Sequence, residues 1–334
     1  MAELTTTGTN PTEPAAEEGR PTSDRLLLIL AVDHRNSLER DLYGLAGTIG
    51  PAEAARISAD KLLVYQALLD ALPRLPAEVQ PGILIDEQYG ASVAELAGRS
   101  QGVVSLAMPI EASGEEWFEF AYGDDWTGHA EFFATDFAKV LMRDNPGFDA
   151  GRRAEQADRL SQVSRWAEAS GRAFIIELLV PATDTDLAAV DGDRDRYDDE
   201  VRPRHTLAVM EHLQDHGVDP ALWKVEGLDR HDDAVQIAGA AKRDGRTADC
   251  IVLGRHAPHD QLDHWLRVAA PIPGWTGFAI GRSIWWDALH ARLHHHCTAS
   301  EARHRIREAY VDFARYYIDA RAGDLPDALD PEYW

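Results

Sequence analysis

From Leu26 onward, short apolar runs alternate with longer amphipathic stretches. The runs are LLLILAVDH (26–34), GILIDEQYG (82–90), VVSLAMP (103–109), FAKVLMRD (137–144), AFIIELLVP (173–181), LWKVEG (222–227), CIVLGR (250–255) and TGFAIGR (276–282). Each has the length of a strand and is almost continuously apolar, the pattern of strands buried on both faces. Between them, PAEAARISADKLLVYQALLDAL (51–72), GRRAEQADRLSQVSRWAEASG (151–171) and RPRHTLAVMEHLQDHG (202–217) carry helical spacing. Pro51 stands where a helix can begin, and Gly171 and Gly217 where helices end.

Eight strand–helix units predict an α/β chain folded as a (β/α)8 TIM barrel over residues 25–297. A doubly wound open sheet shares the alternation, but it more often has a glycine-rich turn after its first strand, where this chain reads AVDHRNSLER. A further helix, ASEARHRIREAYVDFARYYIDA (299–320), falls in a C-terminal segment, 298–334. Its apolar spacing suggests packing on the barrel's outside or on a second subunit, so a homo-oligomer is one expected assembly. Residues 1–24, rich in Thr, Pro, Glu and Ala, predict a disordered tail, and they lack the basic start and apolar stretch of a signal peptide.

Composition narrows the function. A net charge of −24 argues against nucleic acid as the main partner, because phosphate backbones need a basic surface. Cys250 and Cys297 are the only cysteines, which excludes a disulfide scaffold and a cysteine zinc site and makes a reducing cytoplasm the expected setting. No apolar run approaches the roughly 18 residues of a membrane span, so no membrane partner is expected.

Two polar stretches invite metal readings. In ATDTDLAAVDGDRDRYDDE (182–200), Asp191, Asp193 and Asp195 have calcium-loop spacing, but Arg196 replaces the required glycine and Arg202 the required glutamate. A solvated loop over the barrel mouth is expected instead. The triple histidine 294–296 follows the last strand's helix and reads as surface. Neither a metal nor a cofactor is expected.

The informative signal is charge inside the apolar runs. Asp33 ends the first, and Asp86 and Glu87 the second; Lys139 and Arg143 lie in the fourth, Glu177 in the fifth, Lys224 and Glu226 in the sixth, and Arg282 follows the eighth. Most fall in the C-terminal half of their strand, the end that carries the active site in such a barrel. Alternation puts Leu222, Lys224 and Glu226 on one face of their strand, Phe137, Lys139, Leu141 and Arg143 on one face, and Ile175, Glu177 and Leu179 on one face. With these faces inward, lysines, arginines and carboxylates meet at the mouth. An isolated buried ion costs several kcal/mol, so such a set implies pairing and a purpose. Structural pairing of Lys224 with Glu226 or Glu177 is the plain alternative.

Lysine is rare here, at positions 61, 139, 224 and 242 only, and arginine would make the better permanent ion pair. A lysine can instead lose its proton, attack a carbonyl and form a Schiff base, which desolvation and a neighbouring cation favour. Lys224 is therefore the candidate nucleophile and Lys139 the candidate neighbouring cation.

AVDHR (31–35), IDEQYG (85–90), AKVLMRDNP (138–146), IIELLVP (175–181), WKVEG (223–227), VLGRHAP (252–258) and GFAIGRSIWWDAL (277–289) follow one another in register with the eight strands. From about Leu26 to Leu293 the chain resembles the class I, lysine-dependent aldolases of the tagatose-bisphosphate and sulfofructose-phosphate type. It looks closer still to the aldolase-like domain fused to the inositol-pathway kinase 5-dehydro-2-deoxygluconokinase. The resemblance implies cleavage of a phosphorylated keto sugar or sugar acid, 2-deoxy-5-keto-gluconate 6-phosphate first, to dihydroxyacetone phosphate and an aldehyde. It implies that Lys224 forms the Schiff base, that Glu177 transfers protons, and that Asp33 and Lys139 line the same site. It implies a phosphate-binding corner at Arg282 and Gly281, joined by Gly254 from the preceding strand's end. Asp86, Gln88, His34 and Arg143 complete the expected substrate contacts. His34 stands where the sugar-bisphosphate aldolases more often have glutamine, and Gln88 where a carboxylate is expected. Two other functions compete: a non-catalytic phosphosugar-binding barrel, and a metal-dependent enzyme using Asp33, Glu87 and histidines.

Overall fold

The computed structural model describes residues 25–100 and 102–323. The expected N-terminal tail, and residues 324–334 of the expected C-terminal segment, lie outside the described residues. Eight parallel strands, β1 (Leu26–Ala31), β2 (Val79–Leu84), β3 (Ser105–Pro109), β4 (Phe137–Arg143), β5 (Ala173–Leu179), β6 (Leu222–Glu226), β7 (Asp249–Leu253) and β8 (Trp275–Ile280), close into a barrel in sequence order. The helices are α1 (Asn36–Asp41), α2 (Pro51–Ala71), α3 (Glu87–Gly98), α4 (Trp126–Phe132), α5 (Ala150–Ser170), α6 (Asp184–Ala189), the single turn α7 (Arg194–Arg196), α8 (Arg202–Asp215), α9 (His231–Ala241), α10 (His259–Ala269), α11 (Arg282–Leu293) and α12 (Ala299–Ala322). This is the (β/α)8 barrel that the alternation predicts.

Two-sided burial explains the apolar runs. Along β1, Leu27, Ile29 and Ala31 join Leu84, Phe137, Ile175, Leu222 and Ile251 in the barrel interior, while Leu26, Leu28 and Leu30 pack outward against the helices. The seam between β8 and β1 depends on glycine. A Cβ on Gly277 would lie 1.9 Å from the Leu27 carbonyl oxygen, so any side chain there would push the closing strands apart.

α12 packs on this chain's own barrel. Its own Tyr310, Phe313 and Tyr317 are buried, the Tyr310 hydroxyl donates to the Leu28 carbonyl at 2.8 Å, and Arg303 grips Asp70 of α2.

Two segments differ from expectation. β2 lies earlier than the run 82–90, because Asp86 is a helix cap and not a strand end: its side chain accepts from the Tyr89 amide at 2.8 Å and starts α3. The acidic segment 182–200 is largely solvent-exposed, as expected, but helical rather than a loop. A Thr183–Asp186 capping box starts α6, and the π-turn Tyr197–Val201 is anchored by buried Tyr197, whose hydroxyl donates to the Val180 carbonyl at 2.9 Å. His294, His295 and His296 are exposed, as expected.

Candidate active site

A cavity of about 380 Å3 opens at the C-terminal ends of the strands, with Asp33, Lys139, Glu177 and Lys224 in its lining. The inward faces of β4, β5 and β6 deliver the two lysines and Glu177, as their strand parity requires, and Glu177 is the register partner of Lys224. Lys139 Nζ donates to Asp33 Oδ2 at 2.9 Å and to Glu111 Oε1 at 3.0 Å, and lies 2.9 Å from Glu177 Oε2. The same Glu177 oxygen lies 3.0 Å from Lys224 Nζ. Arg35 Nη2 reaches Glu111 Oε1 at 3.3 Å. Three cations thus face three carboxylates, the balance that makes burial of so many charges tolerable.

The carboxylates are not equivalent. Burial works to raise Asp33, yet Lys139, His34 and Lys224 hold it far below the usual carboxylate range. Burial is likewise outweighed at Glu177, where Lys139 and Lys224 hold the pKa low. At Glu111 burial wins over Lys139 and Arg35, and the pKa is raised. Burial opposes the charge on Lys139, but Asp33, Glu111 and Glu177 hold its pKa above the usual lysine range. Lys139 is therefore a cation clamped by three carboxylates, not the bare neighbour of Lys224 that the sequence suggests, and one of those carboxylates stands between them.

The rim on the β7–β8 side carries two glycines and two arginines, Gly254, Gly281, Arg255 and Arg282. Gly254 follows β7, and Gly281 is the N-cap of the twelve-residue α11, which starts at Arg282; all three line the cavity, so the positive end of this helix lies at the mouth. A Cβ on Gly281 would lie 2.5 Å from the Ala31 carbonyl oxygen, so the backbone reaches this corner only as glycine. His34 lines the same corner. Although 22% of its side chain is exposed, burial first, and then Arg282 and Lys61, push its pKa down to about 4 against the pull of Asp33. His34 should accordingly remain neutral down to about pH 4, which NMR titration of the imidazole checks; a midpoint near the ordinary histidine value of about 6.5 would contradict this environment.

Arg143 also lines the cavity, with one nitrogen 3.4 Å from the Glu115 carbonyl oxygen. Asp86 and Gln88 do not line it. Asp86 is wholly buried, paired with Lys61 and capping α3, while Gln88 lies exposed on the outer face of α3. Glu87 is also outside, paired with His129 Nδ1 at 2.8 Å. Glu226 does not pair with Lys224. It binds Arg255 Nε at 3.1 Å and accepts from the Val180 amide at 2.9 Å, leaving Glu177 as the counter-ion of Lys224. Among the described residues, no group of three or more His, Cys, Asp or Glu side chains could hold a metal ion.

Glu111, Arg35, Arg255 and Lys61 escape the sequence reading. Glu111 had a signal, since Ala107, Pro109 and Glu111 continue one face of β3. Arg255 lies in VLGRHAP, on left-handed backbone at φ 50°, and also binds Asp198 at 2.8 Å. Lys61, from α2, donates to the His34 carbonyl at 2.9 Å and so braces the end of β1. No local pattern marks it, because it reaches the site from outside the barrel.

Fold and site together define a (β/α)8 barrel with a buried lysine–carboxylate centre at its C-terminal mouth. The chain belongs to the family described as "Uncharacterized protein conserved in bacteria (DUF2090)", whose profile matches residues 16–321. No curated protein sequence matches it. Among solved structures it resembles Cgl0159 from Corynebacterium glutamicum, with 18% identity, 88% of each chain covered and a TM-score of 0.55. It also resembles fructose-bisphosphate aldolase from Plasmodium falciparum, solved with TRAP and a small-molecule inhibitor, with 14% identity, 94% of each chain covered and a TM-score of 0.59. At these identities the likeness is one of fold. No helix among the described residues is long and apolar enough to cross a membrane.

Proposed function

We propose that the protein is a Schiff-base aldolase acting on a phosphorylated keto sugar or keto sugar acid. The observation that carries this reading is Lys224, held on the inner face of β6 with Glu177 3.0 Å away, in a cavity whose rim presents Arg282 at a helix N-terminus. The likeness of fold to fructose-bisphosphate aldolase supports the same class. Arg282 and the α11 amides take the phosphate. Lys224 adds to the ketone and loses water to give an iminium, an electron sink that lets the neighbouring carbon–carbon bond break once a base removes the hydroxyl proton. Glu177 is the first choice for that base and Asp33 the second, both held ionised by the lysines. The enamine is then reprotonated and hydrolysed to dihydroxyacetone phosphate. As substrate, 2-deoxy-5-keto-gluconate 6-phosphate leads, followed by tagatose bisphosphate and sulfofructose phosphate.

Borohydride reduction with dihydroxyacetone phosphate, in the presence of chelator, tests this by peptide mass spectrometry. The expected result is a reduced adduct on the peptide holding Lys224. An adduct on Lys139 would reverse the roles of the two lysines. A folded protein with no adduct to this or other keto phosphates would point to binding without Schiff-base chemistry, or to a metal-dependent reaction.

A further inference from the structure

Glu111 has lopsided hydrogen bonding. Its Oε1 takes both Lys139 Nζ at 3.0 Å and Arg35 Nη2 at 3.3 Å, whereas Oε2 is buried with no partner. A buried carboxylate with one oxygen unpartnered has its negative charge poorly solvated, and protonation, which removes that charge, lowers the cost. Glu111 is also the end of a line of close contacts: Lys224 Nζ to Glu177 Oε2 at 3.0 Å, Glu177 Oε2 to Lys139 Nζ at 2.9 Å, and Lys139 Nζ to Glu111 Oε1 at 3.0 Å. We propose that Glu111 is the proton store for Schiff-base formation at Lys224, filled and emptied along this line. The inference rests on the reading of Lys224 as the nucleophile.

The proton balance closes. The Lys224 ammonium gives a proton to Glu177; Glu177 passes one to Lys139 as Lys139 passes one of its own to Glu111. Lys224 is then a neutral amine and Glu111 a neutral acid, with Glu177 and Lys139 unchanged. The amine's electron pair forms the bond to the ketone carbon, and a proton moves from that nitrogen to the former carbonyl oxygen. The stored proton returns along the line, the hydroxyl leaves as water, and the nitrogen lone pair closes the C=N bond of a positively charged iminium. No external acid or base is consumed. The charged groups facing Glu111 are Lys139 from β4, and Asp33 and Arg35 from the segment after β1; burial and Asp33 favour its protonated form against Lys139 and Arg35. Asp33 and Glu177 are held low, so Glu111 is the readiest of the three carboxylates to take the proton.

Glu111→Gln keeps the size of the side chain and its acceptor for Lys139 but does not titrate. The measurement is the rate at which dihydroxyacetone phosphate and cyanoborohydride form the reduced adduct on Lys224, followed from mildly acidic to alkaline pH. Near neutrality the variant should be slower by about 10²-fold, the range of a positioned acid–base group. The deficit should shrink as pH rises and solvent hydroxide takes the proton instead. A wild-type rate, or a deficit that is the same at every pH as a purely structural role would give, overturns the proposal. Failure of the wild type itself to form the Lys224 adduct is a separate result, which removes the Schiff-base reading and this inference with it. Should the glutamine variant not fold, Glu111→Asp carries the test: the shorter carboxylate retreats from Lys139, adduct formation should slow several-fold, and an unchanged rate refutes the store.

Discussion

Replacing Lys224 with methionine is expected to abolish turnover of any keto-phosphate substrate, by roughly 10⁴-fold or more, together with the borohydride adduct. Methionine fills nearly the same buried volume on the inner face of β6, beside its register partner Ile251 on β7. Only the amine and its contact with Glu177 are lost. Glu177 keeps Lys139 as its partner at 2.9 Å, so the variant does not strand a buried carboxylate. Phosphate binding, which the proposed function assigns to Arg282 and the start of α11 two strands away from β6, should change by only a few-fold. The measurement is therefore paired: turnover by product assay and ligand affinity by calorimetry. Turnover above about a tenth of wild type would dismiss Lys224 as nucleophile. Retained binding in a wild type without turnover would mark a phosphosugar-binding protein.

Lys139→Met should behave differently, because stability is lost along with activity. The substitution strips one cation from Asp33, Glu111 and Glu177 at once. Removing one partner of a buried ion pair costs about 3–5 kcal/mol, which in a chain of this size lowers the melting midpoint by about 4–8 °C. The pH dependence identifies the cause. In the wild type Asp33 and Glu177 have depressed pKa values, so they stabilise the fold above their unfolded values and lose that contribution as pH falls through the folded ones. Lys139, with a raised pKa, stabilises it below the unfolded lysine value and loses that contribution only as pH rises through the folded one. Without Lys139 the buried carboxylates bind protons more readily, and protonation relieves their repulsion. The melting deficit should be largest near about pH 7 and smaller near about pH 4.5. A deficit equal at both values, or none, would mean that the carboxylates do not depend on this lysine.

Much of this was legible along the chain. The eight strands and the lysine and carboxylate faces of β4, β5 and β6 follow from near-neighbour geometry, because alternation assigns every side chain a face before any partner is known. Arg282 was readable from its place just after the last apolar run. The failures share one physical origin. Asp86 and Gln88 looked like strand-end site residues, but a capping aspartate had already turned the chain into α3, and a helix cap competes with strand continuation over a single residue. Glu226 looked like a partner for Lys224 because it shares its face; Arg255, arriving on the next loop, took it instead.

The sequence by itself therefore determined the barrel, the faces of its strands and the kinds of charge carried to its mouth, since these depend on periodicity within a few residues. Only the tertiary structure decided which charges meet. Asp33 and Lys139 are 106 positions apart, and Arg35 and Glu111 76 apart, and they touch because the closed sheet curves β1, β3 and β4 around one axis. Pairing energy in a buried cluster depends on distances of about 3 Å and on what else shares the space. That is a property of register and closure, and no local pattern contains it.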